Sequence, residues 1–281
     1  MGSGPSLIAA AVLGLVGGTL GWSMLRETFA APLFQRTNFR GSDVPVGVGV
    51  LLPVVLVAAG ALLVLADRLE WAEIHDGALR TAVATATGFG LLGLLDDLAG
   101  DATAKGFAGH LRALAGGRLT TGAVKLFGGG AVAVLVSSAG SDERPGRLLA
   151  DAALIALAAN LANLLDRAPG RAAKVVLLAA VPVALSAGVD GRLAGPAVVA
   201  GATIALLWPD LRERLMLGDA GANVLGAVWA LSVVLTTAAT TRTAVLVALV
   251  VLNLASELVS FSAVIDRTPP LRALDRLGRR P

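Results

Sequence analysis

The feature that most restricts this 281-residue chain is a succession of apolar runs, each close to the length a helix needs to cross a bilayer. About 20 apolar residues span a hydrocarbon core, and inside it every backbone N–H and C=O must be satisfied within the segment. Such runs occupy residues 6–25, 44–66, 79–95, 121–138, 148–165, 172–189, 193–208, 217–237 and 243–263. The connections between them are too short for a separate water-soluble domain. The expected fold is therefore all-α: a polytopic integral membrane helix bundle of about nine transmembrane helices. It forms a single transmembrane domain over 1–281, with a basic tail at 264–281. Charged residues make up 15% of the chain, against about 25% in soluble domains, which excludes an ordinary globular enzyme. Cysteine is absent, which excludes disulfides, a thiol nucleophile and Cys-ligated metals. The opening MGSGPS has no basic stretch of the secretory kind, so the first run is expected to remain as a span.

Charge placement sets the expected orientation. The net charge of +3 is modest, and no nucleic-acid partner is expected. With the N-terminus outside and nine alternating spans, only Arg68, Arg80, Arg144, Arg147, Arg192 and Arg242 lie on the outer side. The other 17 of the 23 Lys and Arg lie on the inner side. That asymmetry fits the positive-inside rule, with a cytoplasmic C-terminus and a multi-pass protein of the cell membrane.

Acidic and amide groups near membrane depth are costly and need a reason. Asp96 and Asp97 end the third span in GLLGLLDDLAGD. Asn160, Asn163 and Asp166 end the fifth in ALAANLANLLDRAPG, spaced i, i+3, i+6 along roughly one helical stripe. Gly218, Asp219 and Gly221 open the eighth in LMLGDAGANVLGA, and Glu257 sits in the ninth. Alternation brings the first three groups to one face, although that face was not used to place them. Each has a plainer reading: solvated helix stops, interhelical hydrogen bonds, or an N-cap at Asp219. Together, hard oxygen donors without Cys and with only two His point to Mg²⁺ or Mn²⁺. Carboxylates, such a cation and basic loops suit phosphoryl transfer, where positioning and charge neutralisation dominate.

At these residues the chain resembles the polyprenyl-phosphate N-acetylhexosamine-1-phosphate transferases, over about residues 38–275. GLLDD resembles that family's Asp-Asp motif, NLANLLDRAPG its Asn-x-x-Asn-x-x-Asp-Gly stretch, and MLGDAGANVLG its Met-Gly-Asp-x-Gly motif. NFRGSDVPVGVG resembles the family's first inner loop. The resemblance implies attack of a polyprenyl (undecaprenyl) phosphate on the sugar-linked phosphorus of a UDP-amino sugar, for cell-envelope (cell wall) glycan synthesis. It implies Asp96, Asp97 and Asp219 as catalytic residues, with Asp219 and Asp97 holding the metal. Asn160, Asn163, Asp166, Lys125, Arg272 and Glu257 would bind substrate. Partners would be the lipid phosphate, the UDP-sugar and the membrane, and a homodimer is compatible with the sequence.

The chain departs from the family in its last inner loop, IDRTPPLRALDRLGRRP, where Arg272 lies near the position of a His-rich motif. Arg167 and Pro169 also replace a Gly and an acidic residue after Asp166. An arginine clamps phosphate but is no general acid near neutrality. A catalytically inactive relative that binds lipid phosphate or partner proteins therefore stays open beside the enzyme. A transporter would instead place polar groups at the midplane of repeated halves, and no repeat is found. His75 reads as a surface residue of an outer loop. His110 lies in the basic amphipathic stretch 105–118 and reads as an interfacial helix residue or a phosphate contact. Lys125 reads as a snorkelling residue or a phosphate contact. The Gly14/Gly18 and Gly17/Gly21 pairs, with Gly128–Gly130, read as close helix-packing positions.

Overall fold

The computed structural model describes residues 4–38, 40–99, 120–139 and 144–280. Among the described residues, nine long helices follow the apolar runs: α1 Gly4–Phe29, α2 Leu51–Arg68, α3 Asp76–Ala99, α4 Thr121–Ser137, α5 Pro145–Leu165, α6 Arg171–Ala187, α7 Ala194–Leu211, α8 Gly218–Thr236 and α9 Ala239–Leu258. Two short helices, α10 Phe261–Arg267 and α11 Pro269–Arg276, follow them. The chain is all-α in character, and among the described residues seven helical stretches are long and apolar enough to cross a membrane. These contain α1, α2, α3, α5, α7, α8 and α9, which makes this a multi-pass membrane protein by length and composition. Helices α4 and α6, with 17 residues each, are shorter.

Two expected boundaries shift for local reasons. Residues 44–50, expected within the second span, are not α-helical. Asp43–Pro45 (β2) pairs antiparallel with Gln35–Thr37 (β1), and Val48–Val50 form one 3-10 turn. Pro45 lacks a donor, and Gly47 takes φ +74°, so a regular helix starts only at Leu51. The ninth span, expected to reach 263, stops at Leu258. Ser260 then caps α10 by accepting from the Ala263 N–H.

Small residues let helix backbones touch. A Cβ on Gly14 would lie 2.0 Å from the Val198 carbonyl oxygen, and one on Gly201 would lie 1.9 Å from that of Ala11. Gly14 and Gly18 thus press α1 onto α7, while Gly17 and Gly21 receive Val55 and Leu51 of α2. Without a hydrophobic drive inside lipid, close backbone packing of this kind is what holds helices together. Helix α8 is the centre of the bundle, enclosed chiefly by α3, α5 and α6. Helix α9 is the opposite, with Leu249 its only buried residue, and it leans on α5. Its N-terminal end is fixed by an ion-pair group: buried Asp151 of α5 accepts from Arg147 one turn back and, at 2.8 Å, from Arg242 of α9.

Candidate functional site

The C-terminal ends of α3 and α5 meet the start of α8, and the loop before α8 fixes the geometry. Residues 215–218 run against 45–49: the Met216 N–H donates to the Pro45 carbonyl (2.7 Å), and the Gly49 N–H donates to that of Leu217 (3.0 Å). Gly218 turns the chain into α8 at φ +68°, where a Cβ would stand 2.6 Å from an Asp97 oxygen. Gly93 is equally constrained, since its Cβ would fall 2.3 Å from the Asp219 carbonyl oxygen. The small residues of GLLGLLDD and LGDAG are thus the condition for α3 to touch the first turn of α8.

That contact sets the two neighbouring aspartates to different tasks. Asp97 accepts from the backbone N–H of Asp219 (2.9 Å) and of Ala220 (3.0 Å), capping α8 from another helix. An anionic cap satisfies orphan donors and complements the helix dipole. Asp96 instead faces Lys125 of α4, 3.9 Å from its ammonium. Lys125 also donates to Asp219, and the Asn163 side-chain amide donates to the same Asp219 oxygen at 3.3 Å. Asp96, Lys125, Asn163 and Asp219 therefore form one cluster drawn from four helices. Asp97, expected as a metal ligand, commits both oxygens to backbone donors, and Asp96 is the aspartate that shares a cation with Asp219.

Next to this cluster lies a cleft of about 310 Å³ whose lining includes Asp97, Asp166, Arg167, Asp210 and Asp219. Burial, then the like charges of Asp210, Asp219 and Asp97, hold the Asp166 carboxyl well above its usual range; the Gly218 N–H opposes this. Asp210 accepts from the Gly170 N–H at 3.0 Å and so anchors the loop after Asp166.

Other expected site residues lie elsewhere. Asn160 donates to Asn253 of α9 at 2.7 Å and does not reach the cleft. Three residues along a helix turn the side chain by about 60° from its starting direction, so Asn160 and Asn163 meet different neighbours. Glu257 is exposed near the end of α9. Arg272 is exposed on α11, and its side chain donates to the Asp266 carbonyl at 3.4 Å, away from the cleft. His110 and the stretch 105–118 lie outside the described residues. His75 accepts from the Ala78 N–H at the start of α3, away from the cleft.

Three features escaped the sequence reading. Arg171 donates to Asp275 (2.8 Å) and to Ser262 (2.7 Å), joining α6 to α10 and α11. Arg279 donates to the carbonyl of the cleft residue Pro169 at 3.0 Å. Arg36 holds the Asp97 carbonyl at 2.9 Å. Burial is the largest single influence on the Asp275 carboxyl and pushes it up, but the Arg171 hydrogen bond and the charges of Arg279, Arg171 and Lys174 together outweigh it and keep the carboxyl below its usual range. The abundance of Arg in the last 15 residues was the available signal, but partners so distant in sequence carry no spacing rule.

Among the described residues, no group of three His, Cys, Asp or Glu side chains gathers as a ready-made metal site. Mg²⁺ commonly draws only one or two carboxylates from a protein and completes its shell with water and phosphate. The Asp96 and Asp219 carboxylates, which already face a shared positive charge, fit that donor set. No protein-family model matches the chain, and no curated protein matches it.

Proposed function

We propose that the protein is a Mg²⁺-dependent transferase of the polyprenyl-phosphate N-acetylhexosamine-1-phosphate type. It moves a sugar-1-phosphate from a UDP-amino sugar to a polyprenyl phosphate at the cytoplasmic face of the cell membrane. The observation that carries this reading is the convergence of Asp96, Asp219 and Asn163 on Lys125 beside an acidic cleft. The excess of Lys and Arg in the loops on that side supports its cytoplasmic orientation.

In this reading Asp219 and Asp96 hold the cation, which when bound neutralises charge on the phosphoryl oxygens. The lipid phosphate oxygen forms the new bond to the sugar-linked phosphorus, and the bond to the UMP oxygen breaks. A phosphate monoester has a second pKa near 6, so the attacking oxygen is largely deprotonated at neutral pH. The residues need only orient it. Lys125 offers a point charge to a phosphate, and Asn163 holds the Asp219 carboxylate in place. Asp97 keeps the first turn of α8 fixed, so that Asp219 is pre-positioned. Arg167, in the cleft wall, supplies a planar donor for a diphosphate.

A second reading has its own observation. Lys125 already compensates Asp96 and Asp219, as expected of a relative that binds lipid phosphate without turnover. Purified protein given polyprenyl phosphate, Mg²⁺ and a panel of UDP-amino sugars separates the two. UMP release that disappears in Asp219→Asn supports the transferase. Retained lipid-phosphate binding with no UMP from any sugar nucleotide replaces it by the binding protein.

A further inference from the structure

Beyond the acidic cleft, and separated from it by Glu213, lies a second hollow of about 400 Å³ lined by Trp208, Arg212, Glu213, Arg214 and Arg280. Its charge is unbalanced by construction. The one carboxylate, Glu213, is taken up from the side by Arg40, 3.0 Å away, and by the Asn38 amide at 3.1 Å. Glu213 holds φ +56°, a left-handed conformation costing a non-glycine residue about 1–2 kcal/mol. Its side chain is thus committed to the β-hairpin loop, while its two arginine neighbours line the hollow. Among the described residues, Arg212, Arg214 and Arg280 form no ion pair. Arg212 lies over the Trp208 ring, 4.2 Å from its centroid, and the Arg280 carbonyl accepts from Arg40 at 3.1 Å.

The surroundings say what kind of anion fits. Ile204, Trp208 and Arg212 fall at i, i+4 and i+8, one continuous stripe at the end of α7. Ile204 is 53% exposed and Trp208 56%, so the stripe passes from an uncovered aliphatic residue through an aromatic one to a guanidinium. Trp is the residue of the membrane–water boundary, and paired or clustered arginines suit phosphate. We propose that this hollow is a binding site for the phosphate headgroup of an anionic phospholipid. The acyl chain lies along Ile204 and the phosphate is held by Arg212, Arg214 and Arg280. The site is distinct from the carboxylate cluster, and it stands whether or not that cluster is catalytic.

The test is native mass spectrometry of protein released from nanodiscs made of equal phosphatidylglycerol and phosphatidylcholine. The wild-type protein retains phosphatidylglycerol preferentially. Arg212→Gln/Arg214→Gln lowers that retention about tenfold or more, as loss of two headgroup charges should. Arg280→Gln, a single change beyond the last helix, lowers it by a smaller factor and guards against a folding defect in the double variant. Arg68→Gln, at the other end of the bundle, leaves it unchanged. Millimolar inorganic phosphate does not displace the lipid, because the stripe along α7 contributes to its hold. Equal retention of the two lipids overturns the proposal, as does equal loss in Arg68→Gln and the double variant. Displacement by phosphate alone would make the hollow a soluble-anion site and would also overturn it.

Discussion

Asp97→Ala isolates the cap that one helix places on another. The wild-type carboxylate accepts from two backbone donors, at 2.9 and 3.0 Å, in the first turn of the most buried helix. Hydrogen bonds to a charged group contribute roughly 1.5–3 kcal/mol each, and loss of an N-cap costs roughly 0.5–2 kcal/mol. These terms describe overlapping interactions and do not add, so about 2–4 kcal/mol is the working expectation. At roughly 2–4 °C per kcal/mol for a chain of this size, Asp97→Ala should lower the detergent melting temperature by about 5–15 °C. Asp97→Asn keeps one acceptor in place and should recover about half of that loss. Thermal unfolding followed by tryptophan fluorescence is suitable, because Trp229 lies in α8 and donates to the Ala179 carbonyl. A melting temperature for Asp97→Ala within 2 °C or so of wild type would refute the cap as a main determinant of α8 stability. An Asn variant as unstable as the Ala variant would show that charge, and not acceptor geometry, carries the effect.

Asp151→Ala removes the buried carboxylate that Arg147 and Arg242 share and should cost about 3–5 kcal/mol, read as a lower denaturation midpoint and as faster proteolysis near 239–243. Gly49→Ala places a Cβ 2.2 Å from the Gly221 Cα, a clash with backbone, and should destabilise by about 1–3 kcal/mol in the same measurement. Asn223 is buried with neither its amide nitrogen nor its oxygen bonded among the described residues, so Asn223→Leu should raise the melting temperature; a fall would show that the amide has a partner. Because the Asp275 carboxyl is held below its ordinary range, its contribution to stability is complete above the unfolded value, near 3.9, and is lost as pH falls below it. Limited proteolysis should therefore release the 269–280 segment on acidification through that range and not on alkalinisation.

The places where sequence served well share a physical basis. A run of about 20 apolar residues has little choice but a helix, so among the described residues each of the nine runs reappears as a helix, seven of them within stretches long and apolar enough to span, with edges displaced where Pro45 and Gly47 or Ser260 intervene. Asp96, Asp97, Asp166 and Asp219 were legible because a carboxylate at a helix end is costly enough to stand out against Leu and Ala. Their division of labour was not. Asp96 and Asp97 are adjacent in sequence, and only the approach of α8, permitted by Gly93 and Gly218, assigns one to backbone donors and the other to Lys125. The stripe Asn160–Asn163–Asp166 read as one surface, but its rotation along α5 gives Asn160 to α9 and Asn163 to Asp219. The Arg171–Asp275 pair joins residues 104 positions apart, which periodicity cannot report.

The glycine face of α1 has a consequence for how the chain is made. It fits the backbone of α7 around Val198 and Ala202, yet α7 follows some 180 residues later. At about 5–20 residues per second, a growing chain holds α1 in the bilayer for roughly 10–40 s before its partner is synthesised. Through that interval the face lacks its matching partner. A notch of small residues forms little attachment to passing apolar helices, because its gain comes from matched backbone contact and not from bulk hydrophobicity. The same smoothness that lets α1 and α7 meet at the end thus keeps α1 unattached while it waits. Bulkier side chains at Gly14 or Gly18 would give it earlier, mistaken company.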